Sequence, residues 1–221
     1  MKPTGTVAIV PMKPFALAKT RLSGALTPSQ RMALSRNMLR RVLRAILAPH
    51  PGLQEDSRVG SVWVVGGDAD AREVGSEEGA VWLEDDGSDV NDTVERAYHR
   101  GLESFMAALF IPRDLPFLGP RDVYDIIGAS SHMKNITLAP ASQDGGTNGI
   151  LVPSGLPQPF HLMLGHNSFR SHLSQAASLG LPVAIYYSRG VALDLDTNED
   201  LKAYERIEPG LLERLTEGEG G

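Results

Sequence analysis

Apolar positions recur along this chain in two rhythms that take turns. Short unbroken runs have the length and β-branched content of buried strands, and longer stretches space their apolar residues three and four apart, as one helix face does. Residues 7–10 predict a first strand, Val7-Ala8-Ile9-Val10. Thr27-Pro28-Ser29-Gln30 marks a helix start, with Thr as N-cap, Pro in the first turn and Gln three residues after the cap. Met32, Leu34, Met38, Leu39, Val42, Leu43, Ile46 and Leu47 then carry an apolar face to about Ala48. A loop over 49–58, a second strand over 61–65 closed by Gly66-Gly67, a short helix over 69–78 and a third strand over 80–83 follow. Residues 90–102 predict a helix with Val94, Ala97, Tyr98 and Leu102 on one side. The run 105–111 is apolar throughout, which predicts a central fourth strand. A helix over 121–129, a fifth strand over 135–139, a turn at Asp144-Gly145-Gly146-Thr147-Asn148 and a strand over 149–152 come next. The pattern ends with a helix over 168–179, a strand over 183–187 and a last helix over 198–206 capped by Thr197 or Asn198. Residues 149–165 read as a hairpin-like excursion over the active face, and residues 215–221 as a frayed tail.

Strand–helix alternation with short loops predicts an α/β domain spanning 1–221, with a mostly parallel sheet covered on both faces. No internal repeat or linker interrupts it. Composition narrows the functional classes. A net charge of −6 gives no footing for a nucleic-acid partner, and the lack of Cys removes disulfides and thiolate metal sites. No basic-then-apolar leader opens the chain, and no run of 18 apolar residues offers a membrane span. The expectation is a cytoplasmic protein with neither a nucleic-acid nor a membrane partner.

Candidate chemistry begins in the first loop. Lys13, Lys19 and Arg21 fall within nine residues after the first strand. Open α/β sheets bind ligands at the carboxyl ends of their strands. Lys and Arg there suit a polyphosphate, Arg by bidentate contact and Lys as a point charge; a solvated loop is the other reading. Neither a G-x-x-x-x-G-K-[ST] loop nor a G-x-G-x-x-G fingerprint is present, so side chains rather than a glycine cradle would hold phosphate.

Asp114 follows the predicted central strand, where a carboxylate can hold Mg²⁺ against phosphate oxygens or else cap a turn. Asp194 and Asp196 are two apart in an extended segment, so they share a face and could join Asp114 around a cation. Asp196 could equally cap the last helix. Gly145-Gly146-Thr147-Asn148 offers turn amides and a hydroxyl to an anion. Leu164-Gly165-His166-Asn167-Ser168 leads into a helix whose first amides could do the same, with Ser168 as its N-cap. His161, His166 and His172 match no metal-ligand spacing and read as solvated or capping residues. Arg31, Arg36, Arg40, Arg41 and Arg44 on the first long helix read as a solvated face or a subunit contact, which leaves a homodimer open.

These residues together resemble a known family. Pro11-Met12-Lys13-Pro14 with Ala18-Lys19-Thr20-Arg21-Leu22, then Asn91, Asp114-Leu115-Pro116, Gly146-Thr147-Asn148, Gly165-His166-Asn167-Ser168 and Leu193-Asp194-Leu195-Asp196-Thr197 are similar to the motifs of the 2-phospho-L-lactate and phosphoenolpyruvate guanylyltransferases. The likeness runs in order from about residue 7 to residue 203. It implies a three-layer nucleotidyltransferase fold, GT-A or Rossmann-like, with a mostly parallel mixed sheet. It implies transfer of GMP from GTP to 2-phospho-L-lactate, phosphoenolpyruvate or 3-phosphoglycerate, with release of pyrophosphate, in biosynthesis of coenzyme F-420. By the same resemblance Thr147, Gly165 and Ser168 contact the acceptor and Asp114 and Asp194 hold Mg²⁺. On that reading Lys13, Lys19 and Arg21 neutralise the leaving phosphates, Asp196 joins the metal set, and guanine sits near Gly66-Gly67-Asp68. The family usually has Phe-Gly-Pro where this chain has Leu164-Gly165-His166, and a small or polar residue where it has Arg113, which sets Arg113 and His166 near the acceptor. A sugar-phosphate or molybdenum-cofactor nucleotidyltransferase, or a GTP-binding protein without turnover, are the other readings.

Overall fold

A computed structural model of the chain describes residues 5–49, 52–53, 57–84 and 90–217. Its strands are β1 (Thr6–Met12), β2 (Val59–Gly66), β3 (Val81–Leu83), β4 (Ala107–Phe110), β5 (Ile136–Pro140), β6 (Thr147–Pro153) and β7 (Val183–Ile185). They form one sheet in the order β3-β2-β1-β4-β6-β5-β7. β1 pairs in parallel with both β2 and β4, while β6 runs antiparallel to both β4 and β5. The sheet is therefore mixed with a single reversed strand, as expected of a mostly parallel sheet.

Helices α1 (Pro28–Leu47), α2 (Ala69–Glu77) and α4 (Pro120–Gly128) cover one face, and α3 (Val90–Ser104) and α5 (Ser168–Ser178) the other. β1 shows why two cores form. Ala8 and Val10 point into the first, Val7 and Ile9 into the second, and all four are fully buried. Gly101 lets α3 approach: a Cβ there would meet Val7 at 2.6 Å. α1 starts as its sequence says, with a reciprocal Thr27–Gln30 capping box and Pro at the first turn.

Three expectations need correction. Residues 149–152 form a strand as expected, the buried middle of β6, and are not part of an excursion; β6 already includes Thr147 and Asn148, so the turn before it ends at Gly146. The last helix over 198–206 is α7 (Asn198–Ile207), capped by Thr197, and another helix follows it. That helix, α8 (Leu211–Glu217), buries Leu211 and Leu215 in a third core with Leu22, Leu34 and Met38, so the expected frayed tail is packed as far as Glu217, and residues 218–221 lie outside the described residues. A short α6 (Arg189–Ala192) gave no signal in the sequence. The α1 arginines are engaged within the chain. Arg36 pairs with Asp70, Arg40 with Glu77, Arg44 with Glu78 and Arg41 with Glu208.

Candidate active site

The chain leaves β1 for β2 on one side and returns to β1's other side only with β4, so the carboxyl ends of β1 and β4 mark the switch point where sheets of this kind bind ligands. The first loop and Asp114 meet there. Lys19 sits at φ +53°, a left-handed conformation unusual for a side chain of this kind, and is almost fully buried. Its Nζ donates to Asp114 Oδ2 at 2.9 Å, to Asp196 Oδ1 at 2.8 Å and to the Leu195 carbonyl at 2.5 Å. An ammonium has three donors, and all three are taken. The Asp114 carbonyl accepts the Leu195 amide at 3.0 Å, which closes the knot. Lys19 thus ties three distant segments together. Lys13 and Arg21, by contrast, are exposed on the same loop and have no hydrogen-bond or ion-pair partner among the described residues.

The three carboxylates are held differently. Burial opposes the charge on Asp114, but Lys19 and then Arg113 beside it outweigh burial and keep its carboxyl below the ordinary range. Asp194 lies further from the ammonium. Burial, then the Asp114 charge, push it up to about 6 against the pull of a hydrogen bond from Asn148 Nδ2 at 3.2 Å. Asn148 also donates to the Val191 carbonyl at 3.0 Å, so α6 and β6 together set where Asp194 stands. Asp196 does not cap α7, a role taken by Thr197 with Asp200 in reciprocal hydrogen bonds; its carboxylate reaches back to Lys19. Hard carboxylate oxygens that repel one another, with one cation for two of them, are a donor set that fits Mg²⁺. Arg113, half-buried beside Asp114, has its Nε buried without a hydrogen-bond partner.

Thr147, Ser168 and His172 form a second cluster. Thr147 Oγ1 lies 3.0 Å from Ser168 Oγ and 3.0 Å from His172 Nδ1, and all three residues are buried. Directions in this chain follow from its far end. The Met163 amide donates to His172 Nε2 at 2.9 Å, so that nitrogen bears no proton. Burial pushes the His172 pKa down to about 4, against the charge of Glu95, so the ring is neutral near neutral pH and its proton is on Nδ1. Nδ1–H donates to Thr147 Oγ1, and Thr147 and Ser168 share a further hydrogen bond in which either hydroxyl can donate. His172 is the residue sequence spacing missed; its partners stand 9 and 25 positions away.

The anion-binding amides expected here are mostly engaged. Ser168 is the first residue of α5 and not its N-cap, which is Asn167 at φ +57°. The Ser168 amide donates to the Gly165 carbonyl at 3.1 Å and the Phe169 amide to the Gly145 carbonyl at 3.1 Å. The Gly146 amide donates to Asp144 Oδ1 at 2.8 Å. Hydroxyls, rather than amides, are what this corner offers. Gly165 at φ +127° faces open space, so it shapes the approach without crowding it. His166 is exposed next to it. Asp68 is engaged in the fold: one oxygen accepts the Phe15 amide at 2.9 Å and the other caps α2 through Ala71. Asn91 is exposed at the start of α3.

Residues 6–205 match the model of a family described as guanylyl transferase CofC like. The chain belongs to that family. Over 197 residues it is 36% identical to the 2-phospho-L-lactate guanylyltransferase of Methanothermobacter thermautotrophicus, covering 89% of this chain and 82% of that one. It is 34% identical over 211 residues to the phosphoenolpyruvate guanylyltransferase of Rubrobacter xylanophilus, covering 90% and 92%. A solved nucleotidyl transferase from Methanothermobacter thermautotrophicus superposes with a TM-score of 0.61 over 95% of this chain and 98% of that one, at 15% identity, which carries the fold. Family membership makes the protein a guanylyl-transferring enzyme of α/β nucleotidyltransferase fold. Among the described residues no helix is long and apolar enough to cross a membrane.

Proposed function

We propose that this enzyme moves GMP from GTP to the phosphate of a three-carbon acid, namely 2-phospho-L-lactate, phosphoenolpyruvate or 3-phosphoglycerate, in the route to coenzyme F-420. An acceptor phosphate oxygen bonds to the α-phosphorus, the bond from that phosphorus to the β-bridging oxygen breaks, and pyrophosphate leaves. The acceptor is already anionic, so no strong base is needed, and positioning with charge compensation does the work.

Convergence of Lys19, Asp114, Asp196 and Asp194 at the carboxyl ends of β1 and β4 carries this reading. Asp114 and Asp194 would hold Mg²⁺, which would supply positive charge to offset the charge that develops on the reacting phosphates. Asp196 serves as the second anchor of Lys19. Lys13 and Arg21, exposed on the first loop, meet the departing β- and γ-phosphates. Thr147 and Ser168 form the acceptor's neutral grip, with Gly165 leaving its approach open and His172 anchoring Thr147. Arg113 stands beside Asp114 and adds positive charge on the metal side of the site.

Incubation of the purified protein with GTP, Mg²⁺ and each acid in turn tests the proposal through pyrophosphate release. Release with one or more of the three acids supports it. GTP binding without release for all three would overturn it.

A further inference from the structure

We propose that Glu95, His99 and His161 form a binding site for a late first-row divalent cation, Zn²⁺ by their chemistry, separate from the Asp114–Asp194 pair. Glu95 and His99 stand one turn apart on α3, and the strap over residues 154–167 between β6 and α5 brings His161 against them. Glu95 Oε1 lies 3.0 Å from His99 Nε2 and 2.7 Å from His161 Nδ1. One donor atom from each residue lies within 4.8 Å of the others. Two imidazole nitrogens and one carboxylate oxygen are a ligand set of catalytic or open structural zinc sites, with the fourth position left to water. Tetrahedral zinc–ligand bonds of about 2.0–2.2 Å set donor atoms roughly 3.3–3.6 Å apart, so Glu95 Oε1 would part from each imidazole nitrogen by about half an ångström. All three side chains are partly or fully exposed, so their ends can give that much. Imidazole ligands favour Zn²⁺, Co²⁺ or Ni²⁺ over Mg²⁺.

The surroundings are what set this trio apart from an ordinary surface ion pair. The second Glu95 oxygen accepts the Leu162 amide at 2.8 Å, which fixes the plane of the carboxylate. Gln175 on α5 clamps the backbone of His161 from both sides: its Oε1 accepts the His161 amide at 2.7 Å and its Nε2 donates to the His161 carbonyl at 3.2 Å. Exposed Glu–His pairs contribute little on their own. Here each ligand but His99 has a dedicated outer contact that orients it, as metal ligands commonly do. His99 is oriented by its place on α3, four residues from Glu95. An ion there would staple α3 to the strap that leads into Gly165 and Ser168.

Calorimetric titration of chelator-treated protein with Zn²⁺, in excess Mg²⁺ so that the Asp114–Asp194 pair is filled, reads the site directly. The expected result is one Zn²⁺ equivalent in the wild type, kept in Asp194→Asn and lost in His161→Ala and in His99→Ala. Gln175→Ala keeps the equivalent but weakens it by roughly 10–100-fold. Zn²⁺ also raises the melting temperature of the wild type and not of His161→Ala, whose side chain is exposed and whose fold, checked by circular dichroism, is unchanged. Equal Zn²⁺ binding by wild type and His161→Ala, or no Zn²⁺ equivalent in the wild type, would overturn the site.

Discussion

The two halves of the candidate site are built by opposite means, and on the proposed reading each serves a different phosphorylated ligand. At the ends of β1 and β4 the groups are charged and come from far apart: Lys19 reaches Asp114 across 95 positions and Asp196 across 177. At the start of α5 the groups are neutral: Met163, His172, Thr147 and Ser168 are linked in one run of hydrogen bonds. A buried ammonium holding two carboxylates is costly to assemble and costly to break. A chain of neutral donors can face a phosphate without any buried cation, and its cost appears only when one link is lost. The charged half therefore suits a metal–polyphosphate, and the neutral half a small acid that must enter and leave.

That contrast can be broken in graded steps. Asp194→Asn should cut turnover by about 1000-fold or more, since several kcal/mol of charge compensation goes with the metal ligand. Its melting temperature should hold or rise, because the substitution relieves repulsion from Asp114; turnover within tenfold of wild type would remove Asp194 from the reaction. Lys19→Met should lower stability by about 3 kcal/mol in denaturant melts, because Asp114 and Asp196 lose their shared cation. Ser168→Ala should raise the acceptor KM by roughly 10–100-fold, the worth of a hydrogen bond to a charged group, and leave the KM for GTP in place.

His172 gives the smallest effect and one with a sign. Its pKa falls from 6.5 to about 4 on folding, so between those values the unfolded chain binds more protons than the folded one. The stability that a neutral His172 contributes is fully present above about pH 6.5 and is lost as pH falls toward 4. Between about pH 7 and about pH 5 the loss should be on the order of 2 kcal/mol, and it should vanish in His172→Gln. Parallel melts of the two proteins at both pH values measure it.

Much of this was readable before any coordinates. The Thr27–Gln30 box, the apolar run of β4 with Asp114 at its end, and the Asp194–Asp196 alternation all depend on local spacing, which sequence displays. What stayed hidden depends on distance or on context. A central strand buried on both faces reads the same in either direction, so nothing in Ile150-Leu151-Val152 announces that β6 is reversed. Leu211 and Leu215 offer one helical turn of signal beside a Glu- and Gly-rich end, too little to reveal a helix docked on α1. Three cations in one loop look alike in sequence; only the fold separates buried Lys19 from exposed Lys13 and Arg21. His172 looked like a stray histidine because its acceptor and donor are both brought by tertiary contacts.

The central claim is that one half of the site serves the nucleotide and the other the acceptor. Steady-state kinetics with both substrates varied, on Lys13→Ala, Arg21→Ala and Ser168→Ala, tests it most directly. The account predicts a crossed pattern: the loop variants raise the KM for GTP and leave that of the acceptor, and Ser168→Ala does the reverse. Equal rises in both constants for all three variants would contradict it.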